Sequence, residues 1–186
     1  MAKLIYVTNV SLDGFIEDAQ GGFQWTEPTD EFFTFITDLV RPVGTYLYGR
    51  RLYETMAVWE TEPALAAESE LRAEFANVWQ AADKVVYSAT LGAVSTANTR
   101  LERRFDPGAV RDLKTSATRD LTVGGAALAA AAFNAELVDE CHLFVFPVIV
   151  GSGKPAFPDD GRVQLDLQEE RRLDGGTVYL RYRTQR

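Results

Sequence analysis

LTVGGAALAAAAF, residues Leu121–Phe133, is the stretch whose reading decides the fold. A short apolar run, with Leu121 and Val123, meets Gly124-Gly125, and the near-continuous alanine segment Ala126–Ala132 begins at once, broken only by Leu128. The pattern predicts a strand that stops at a glycine pair and turns straight into a helix packed close against a sheet. Paired glycines let backbone N–H groups approach a ligand with no Cβ in the way. A helix N-terminus adds unpaired donors and the positive end of a dipole, which suits a phosphate or pyrophosphate. The junction therefore reads as a phosphate cradle or as a plain tight turn, since GGAA lacks the third glycine of the dinucleotide fingerprint.

Working outward, the same grammar recurs upstream. Thr45–Tyr48 reads as a strand, followed by Gly49-Arg50-Arg51 and a helix through Met56. Here the strand–glycine–helix turn carries two guanidiniums, whose planar forks fit phosphate oxygens. Asp83–Ser88 (DKVVYS) is a further strand, and Ser88 and Thr90 place two hydroxyls at its end. Lys3–Val10 is a buried first strand, rich in β-branched and aromatic residues, closed by the Asp13-Gly14 turn signal. Phe15–Glu27 reads as a long loop with a Gly21-Gly22 hinge and the aromatics Phe23 and Trp25. It is either a lid over a site or a surface loop whose aromatics tuck into the core.

Pro28-Thr29 opens a helix, with Thr29 as N-cap and Phe32, Phe33, Phe35, Ile36 and Leu39 on one face. Asp30 sits in its first turn, where a carboxylate favours the helix dipole. Pro63–Gln80 reads as one amphipathic helix, Arg100–Phe105 as a short strand, and Asp106-Pro107 as the opening of a helix through Thr115. Downstream, Asp139–Val150 (DECHLFVFPVIV) has the apolarity of a strand covered on both faces, with a bulge or an edge expected at Pro147. Val163–Leu173 and Thr177–Arg183 form a closing hairpin across Asp174-Gly175-Gly176. Strand and helix alternate and an antiparallel pair ends the chain. That predicts a single α/β domain over residues 1–186, with a mostly parallel central sheet flanked by helices and a C-terminal antiparallel hairpin.

Totals narrow the function. The 186 residues carry a net charge of −8, with 46% hydrophobic and 25% charged residues. An acidic chain lacks the basic face that nucleic acid or an anionic membrane requires, although a few local arginines still suffice for a small anion. One cysteine, Cys141, forms no internal disulfide and fits a reducing compartment. MAKLIYVTNV offers no signal-peptide pattern, so a cytoplasmic, soluble protein is expected. Gly151-Ser-Gly-Lys154 resembles part of a P-loop, but Val148 replaces the first glycine and Pro155 stands in the Ser/Thr place, so it is rejected. Cys141 and His142 are strand neighbours on opposite faces and make neither a catalytic pair nor, as one of each, a zinc site; no metal is expected. No G-x-S-x-G elbow occurs, and His142 reads as structural.

Five segments together resemble the dihydrofolate-reductase-like superfamily: Ser11–Asp18, Leu47–Met56, Lys84–Leu91, Leu121–Phe133 and Leu137–Pro158. The first and last look most like the reductase domain of the riboflavin-biosynthesis deaminase–reductase. GRRLYETM also looks like the GR-x-T-[YFW]-E segment of dihydrofolate reductase. The resemblance implies a hydride transfer from NADPH to a pyrimidine- or pteridine-like substrate. Its nearest activity is reduction of 5-amino-6-(5-phosphoribosylamino)uracil; reduction of a pterin, or nucleotide binding without turnover, are its alternatives. It implies that Gly49, Arg50 and Arg51 hold the cofactor phosphates, with Arg50 at the 2′-phosphate. Ser88 and Thr90 would lie by the adenosine, Gly124, Gly125, Ala126 and Ala127 at the pyrophosphate, and Asp30 where dihydrofolate reductase keeps its substrate-binding acid. A homodimer is also expected, with the apolar Leu143–Val150 run as a candidate contact. Two departures concern substrate: Val7 stands where the riboflavin-type reductases usually carry lysine, and ETMAVWETEP replaces their Asp-x-Pro pattern. Nothing offers the H-x-E and P-C-x-x-C pattern of a deaminase.

Overall fold

Alternating strands and helices leave each strand needing cover on both faces, and the chain answers with helices above and below one sheet. The computed structural model describes residues 1–159 and 161–185. In chain order its strands are β1 (Leu4–Ser11), β2 (Phe15–Asp18), β3 (Val43–Gly49), β4 (Asp83–Tyr87), β5 (Thr99–Glu102), β6 (Asp120–Gly124), β7 (Glu140–Phe146), β8 (Gly153–Pro155), β9 (Leu165–Arg172) and β10 (Val178–Thr184). The helices are α1 (Asp30–Val40), α2 (Arg50–Met56), α3 (Val58–Thr61), α4 (Pro63–Ala66), α5 (Glu70–Ala81), α6 (Pro107–Ser116) and α7 (Ala126–Asn134). Eight strands form one sheet in the order β5-β4-β3-β6-β1-β7-β10-β9, and β2 and β8 make a separate pair. Pairing from β5 through β7 is parallel, while β10 runs antiparallel to β7 and β9. This is the α/β architecture expected, with its terminal hairpin.

Alternation along the strands divides the core in two. Leu47, Leu121, Val123, Cys141 and Leu143 face α6 and α7, whose Val110, Leu128, Ala129 and Phe133 cover them. On the other face Tyr46, Tyr48 and Val86 meet Phe75 and Trp79 of α5, and Phe144 and Phe146 meet α1. Phe32 and Phe35 lie edge-on to the Phe144 ring at 4.9 and 5.8 Å. The chain itself thus covers both faces of β7, so the apolarity of that strand is no longer a ground for a subunit contact. It is satisfied within one chain.

Several boundaries differ from the sequence reading, each for a local reason. Pro63–Gln80 is two helices, because Ser69 turns extended and its Oγ accepts from the Arg72 N–H at 3.2 Å to start α5. β7 stops at Phe146 with no bulge: Pro147 has no N–H to offer, and the Val148 N–H turns back to the Phe146 carbonyl at 2.8 Å. β5 ends at Glu102 and β9 runs from Leu165 to Arg172, so both strands are shorter than the spans expected. The expected loop Phe15–Glu27 contains β2, which pairs with β8 from more than a hundred residues away.

His142 is structural, as read. Its Nε2 lies 3.0 Å from Glu140 Oε2 and its Nδ1 3.0 Å from the Tyr179 hydroxyl. A neutral ring with its proton on Nε2 donates to Glu140 and accepts from Tyr179, satisfying both contacts. Burial pushes the His142 pKa below its ordinary value, against the pull of Glu140. Burial pushes the Glu140 carboxyl up, yet its bonds to Lys3 and His142 outweigh this and leave it lowered. Both shifts act in one direction. A histidine depressed in the folded state gives stability that is present above its unfolded pKa of about 6.5 and is lost as pH falls below it. Thermal unfolding should therefore show the midpoint falling from about pH 6.5 downward, with a shallower fall in His142→Gln. Equal slopes in the two proteins would remove His142 from the pH dependence.

Candidate active site

Parallel strands deliver their carboxyl ends to one edge of the sheet, and ligands of such folds bind there, where strand order reverses. The β3–β6 register places Tyr48 opposite Gly124, so the two glycine junctions adjoin: a Cβ on Gly125 would lie 3.6 Å from the Gly49 nitrogen. Gly125 has φ +92°, a conformation that needs glycine, and it is the N-cap of α7. Gly124 is glycine for a different reason. A Cβ there would meet Leu52 Cδ2. Thr29, Ser69 and Asp106 cap α1, α5 and α6 with side-chain oxygens, whereas neither α2 nor α7 has a side-chain cap. The first-turn N–H groups of α7, at Ala126 and Ala127, thus lack that partner beside the glycine pair.

Around these junctions the predicted residues divide. Arg50 sends its Nη1 to Thr90 Oγ1 at 3.0 Å and its Nε to Glu54 at 2.8 Å, joining the ends of β3 and β4. The Ser88 hydroxyl accepts from the Thr90 and Leu91 N–H groups at 3.3 and 3.0 Å, so its oxygen builds the turn that carries Thr90. Arg51 reaches the other way, to Glu17 on β2 at 3.4 Å, with its side chain 76% exposed. Gly49, Arg50, Arg51, Ser88, Thr90, Gly124, Gly125, Ala126 and Ala127 therefore gather along one sheet edge. Asp30 does not join them. It stands exposed at the first residue of α1, outside the lining of the adjoining cavity, where its carboxylate meets the helix dipole.

Below the junctions lies a cavity of about 390 Å³. Its walls come from Val7, Thr8 and Asn9 of β1, from the Thr122–Gly125 end of β6, and from α1 and α2. The aromatics of Phe15–Glu27 divide between the cavity and the core. Phe23 lines the cavity, while Trp25 packs edge-on against Phe146 at 6.1 Å. Asp18 ties the tip, its carboxylate accepting from the Gln20 and Gly22 N–H groups at 2.9 and 2.8 Å. Two charged residues at the cavity were missed by the sequence reading, Glu17 and Lys154, brought together as β2–β8 partners. Lys154 belongs to the rejected P-loop look-alike, so the rejection stands while the residue itself reaches the cavity. Asp13 organises the neighbouring turn, accepting from the Val150 and Gly151 N–H groups at 3.2 and 2.8 Å and from Ser11 Oγ at 2.7 Å.

Comparison with known proteins places the chain by family. Residues 2–179 match the model of the RibD C-terminal domain, and the protein belongs to that family. It is 29% identical over 184 residues to the uncharacterized protein YyaP of Bacillus subtilis, covering 97% of this chain and 94% of that one. Among solved structures, the putative riboflavin biosynthesis protein of Shewanella sp. PV-4 superposes with a TM-score of 0.75 at 20% identity, over all of both chains. The diaminohydroxyphosphoribosylaminopyrimidine deaminase/5-amino-6-(5-phosphoribosylamino)uracil reductase of Thermotoga maritima gives 0.64 at 14% identity, over 99% of this chain and 57% of that one. The fold is thus the dihydrofolate-reductase-like fold of the riboflavin-type reductase domains. Among the described residues, no helix is long and apolar enough to cross a membrane.

Proposed function

We propose that the protein is an NADPH-dependent reductase acting on the C=O, imine or C=N group of a pyrimidine- or pteridine-like substrate. The observation that carries this is the meeting of two strand–glycine–helix junctions, one bearing Arg50 and Arg51, at the rim of the cavity. When bound, the nicotinamide cofactor supplies the hydride. The protein's own residues bind, orient and exclude water. The uncapped start of α7 suits a pyrophosphate. Arg50 and Thr90, already in contact, suit the adenosine phosphate end, and Arg51 stands between the junction and the cavity mouth. Val7, Thr8 and Asn9 supply the floor on which a planar ring can lie.

Cofactor choice follows from Arg50. The 2′-phosphate is the only difference between NADPH and NADH, so only groups beside it discriminate. Charge-assisted hydrogen bonds from one guanidinium are worth ~1.5–3 kcal/mol, a preference of roughly ten- to a hundredfold. Arg50→Ala should weaken NADPH by about tenfold or more and leave NADH nearly unchanged, while Arg51→Ala should weaken both. Dissociation constants for the two cofactors in the three proteins check this. Equal losses for both cofactors in Arg50→Ala would move the specificity role elsewhere.

A further inference from the structure

An ion pair joins the glycine junctions to the small β2–β8 sheet. Arg51, in the first turn of α2, places its Nη1 3.4 Å from Glu17 Oε2 on β2, and both residues line the cavity. The partners differ in exposure: 76% for the Arg51 side chain and 19% for that of Glu17. The guanidinium stays hydrated wherever it turns, whereas a carboxylate mostly withdrawn from water depends on its cation. Among the described residues this is the one ion pair that Glu17 makes. Lys154 is its register partner on β8 and lines the same cavity, but no ion pair joins the two. Arg50 is held differently: its partner Glu54 comes from the same helix, with 46% of each side chain exposed.

We propose that Glu17 is an internal competitor for Arg51: in the empty protein its carboxylate occupies the guanidinium that a phosphate of the cofactor takes on binding. The proposal rests on the reductase reading and deepens it, naming a residue outside both junctions that sets how tightly the nucleotide is held. A phosphate bonded to Arg51 comes within a few ångströms of the Glu17 carboxylate, and like charges at that separation repel. The exposed guanidinium can turn to the phosphate at little cost. Glu17 cannot follow, because β2 is paired to β8 and its backbone passes close to Gly153. Its carboxylate then loses the cation it was bonded to. Lys154 remains nearby and limits that loss, which keeps the effect within the range of an exposed pair. The affinity of any anion for Arg51 is thus lowered by the fraction of the protein in which Glu17 holds the guanidinium.

The test is calorimetric titration of the full chain, Glu17→Gln, Arg51→Gln and the double variant with NADPH and, separately, with inorganic pyrophosphate. Glu17→Gln should tighten both ligands by roughly two- to fivefold. In the Arg51→Gln background the same change should tighten them by less than about 1.5-fold, because the competitor then has nothing to occupy. A long-range charge effect would survive the loss of Arg51, and Glu54→Gln, which removes the same charge beside Arg50, gives its size. Equal tightening in both backgrounds, or tightening by Glu17→Gln no greater than by Glu54→Gln, would overturn the competition. NADPH binding to the full chain that is unchanged or weaker in Glu17→Gln overturns the competition and leaves the reductase reading intact. Pyrophosphate binding that tightens in Glu17→Gln only when Arg51 is present, with no binding of NADPH to any of the proteins, supports the competition and removes the reductase reading.

Discussion

Lys114→Met is expected to lower the thermal midpoint by roughly 6–12 °C, corresponding to about 3 kcal/mol in a domain of this size. Lys114 is 2% exposed, an unusual place for an ammonium. From α6 its Nζ donates to the Leu137 carbonyl at 2.7 Å and to Asp139 Oδ2 at 2.5 Å. The same carboxylate oxygen accepts from the Leu4 N–H at 2.7 Å at the start of β1, so one charge pair fastens α6, β1 and the entry to β7. Methionine keeps the apolar stem but takes the ammonium away from the Asp139 carboxylate and the Leu137 carbonyl, and removing one partner of a buried charge pair costs more than the pair itself contributes. The Asp139 side chain is 21% exposed, so water offsets part of the loss and keeps it at the low end of the range for buried pairs. Asp139→Asn added to Lys114→Met should recover part of the fall. Thermal denaturation of the three proteins checks both statements, and a shift below about 3 °C for Lys114→Met would mean that solvent replaces the ammonium.

Gly153→Ala should release the small β2–β8 sheet. Gly153 has φ +155°, and a Cβ there would lie 1.9 Å from the Glu17 carbonyl oxygen and 2.9 Å from the Asp18 carbonyl carbon. Those atoms are backbone, so no rotamer change relieves the contact and the strands must part. The pair holds Glu17 and Lys154 at the cavity and is hydrogen-bonded separately from the eight-stranded sheet. Amide exchange in β2 and β8 should accelerate by roughly a hundredfold, about 3 kcal/mol of local opening, with little change in the global midpoint. Unchanged protection of those amides would show that the loops absorb the methyl group without separating the strands.

What the sequence revealed and what it hid divide along the range of the interactions. The junctions at Gly49 and Gly124-Gly125 were legible because strand, glycine and helix former are consecutive, and the α7 cap needs only Gly125. The Thr29 cap was legible for the same reason: its Oγ1 accepts from the Phe32 N–H at 3.1 Å, three residues on. β2 was not. FIED has only four residues, and its partner GKP is supplied by a distant turn that Asp13 secures. Glu17 and Lys154 were invisible with it. Phe33, Phe75 and Trp79 were legible as apolar helix faces, but a 3.6-residue period cannot tell a ring that fills the core from one that borders a cavity. Asp30 shows the reverse case, a chemically apt residue that the structure leaves exposed at the helix start.

The central claim is that the edge formed by Gly49, Arg50, Thr90 and the start of α7 holds a reduced nicotinamide nucleotide whose ring enters the cavity. Trp59 and Trp79 line that cavity, so they report directly on its contents. Titrating the full chain with NADPH while exciting tryptophan should give saturable quenching, with energy transfer to the reduced ring and one equivalent bound per chain. Tryptophan emission that stays unchanged, or falls without saturating, up to millimolar NADPH would contradict the account.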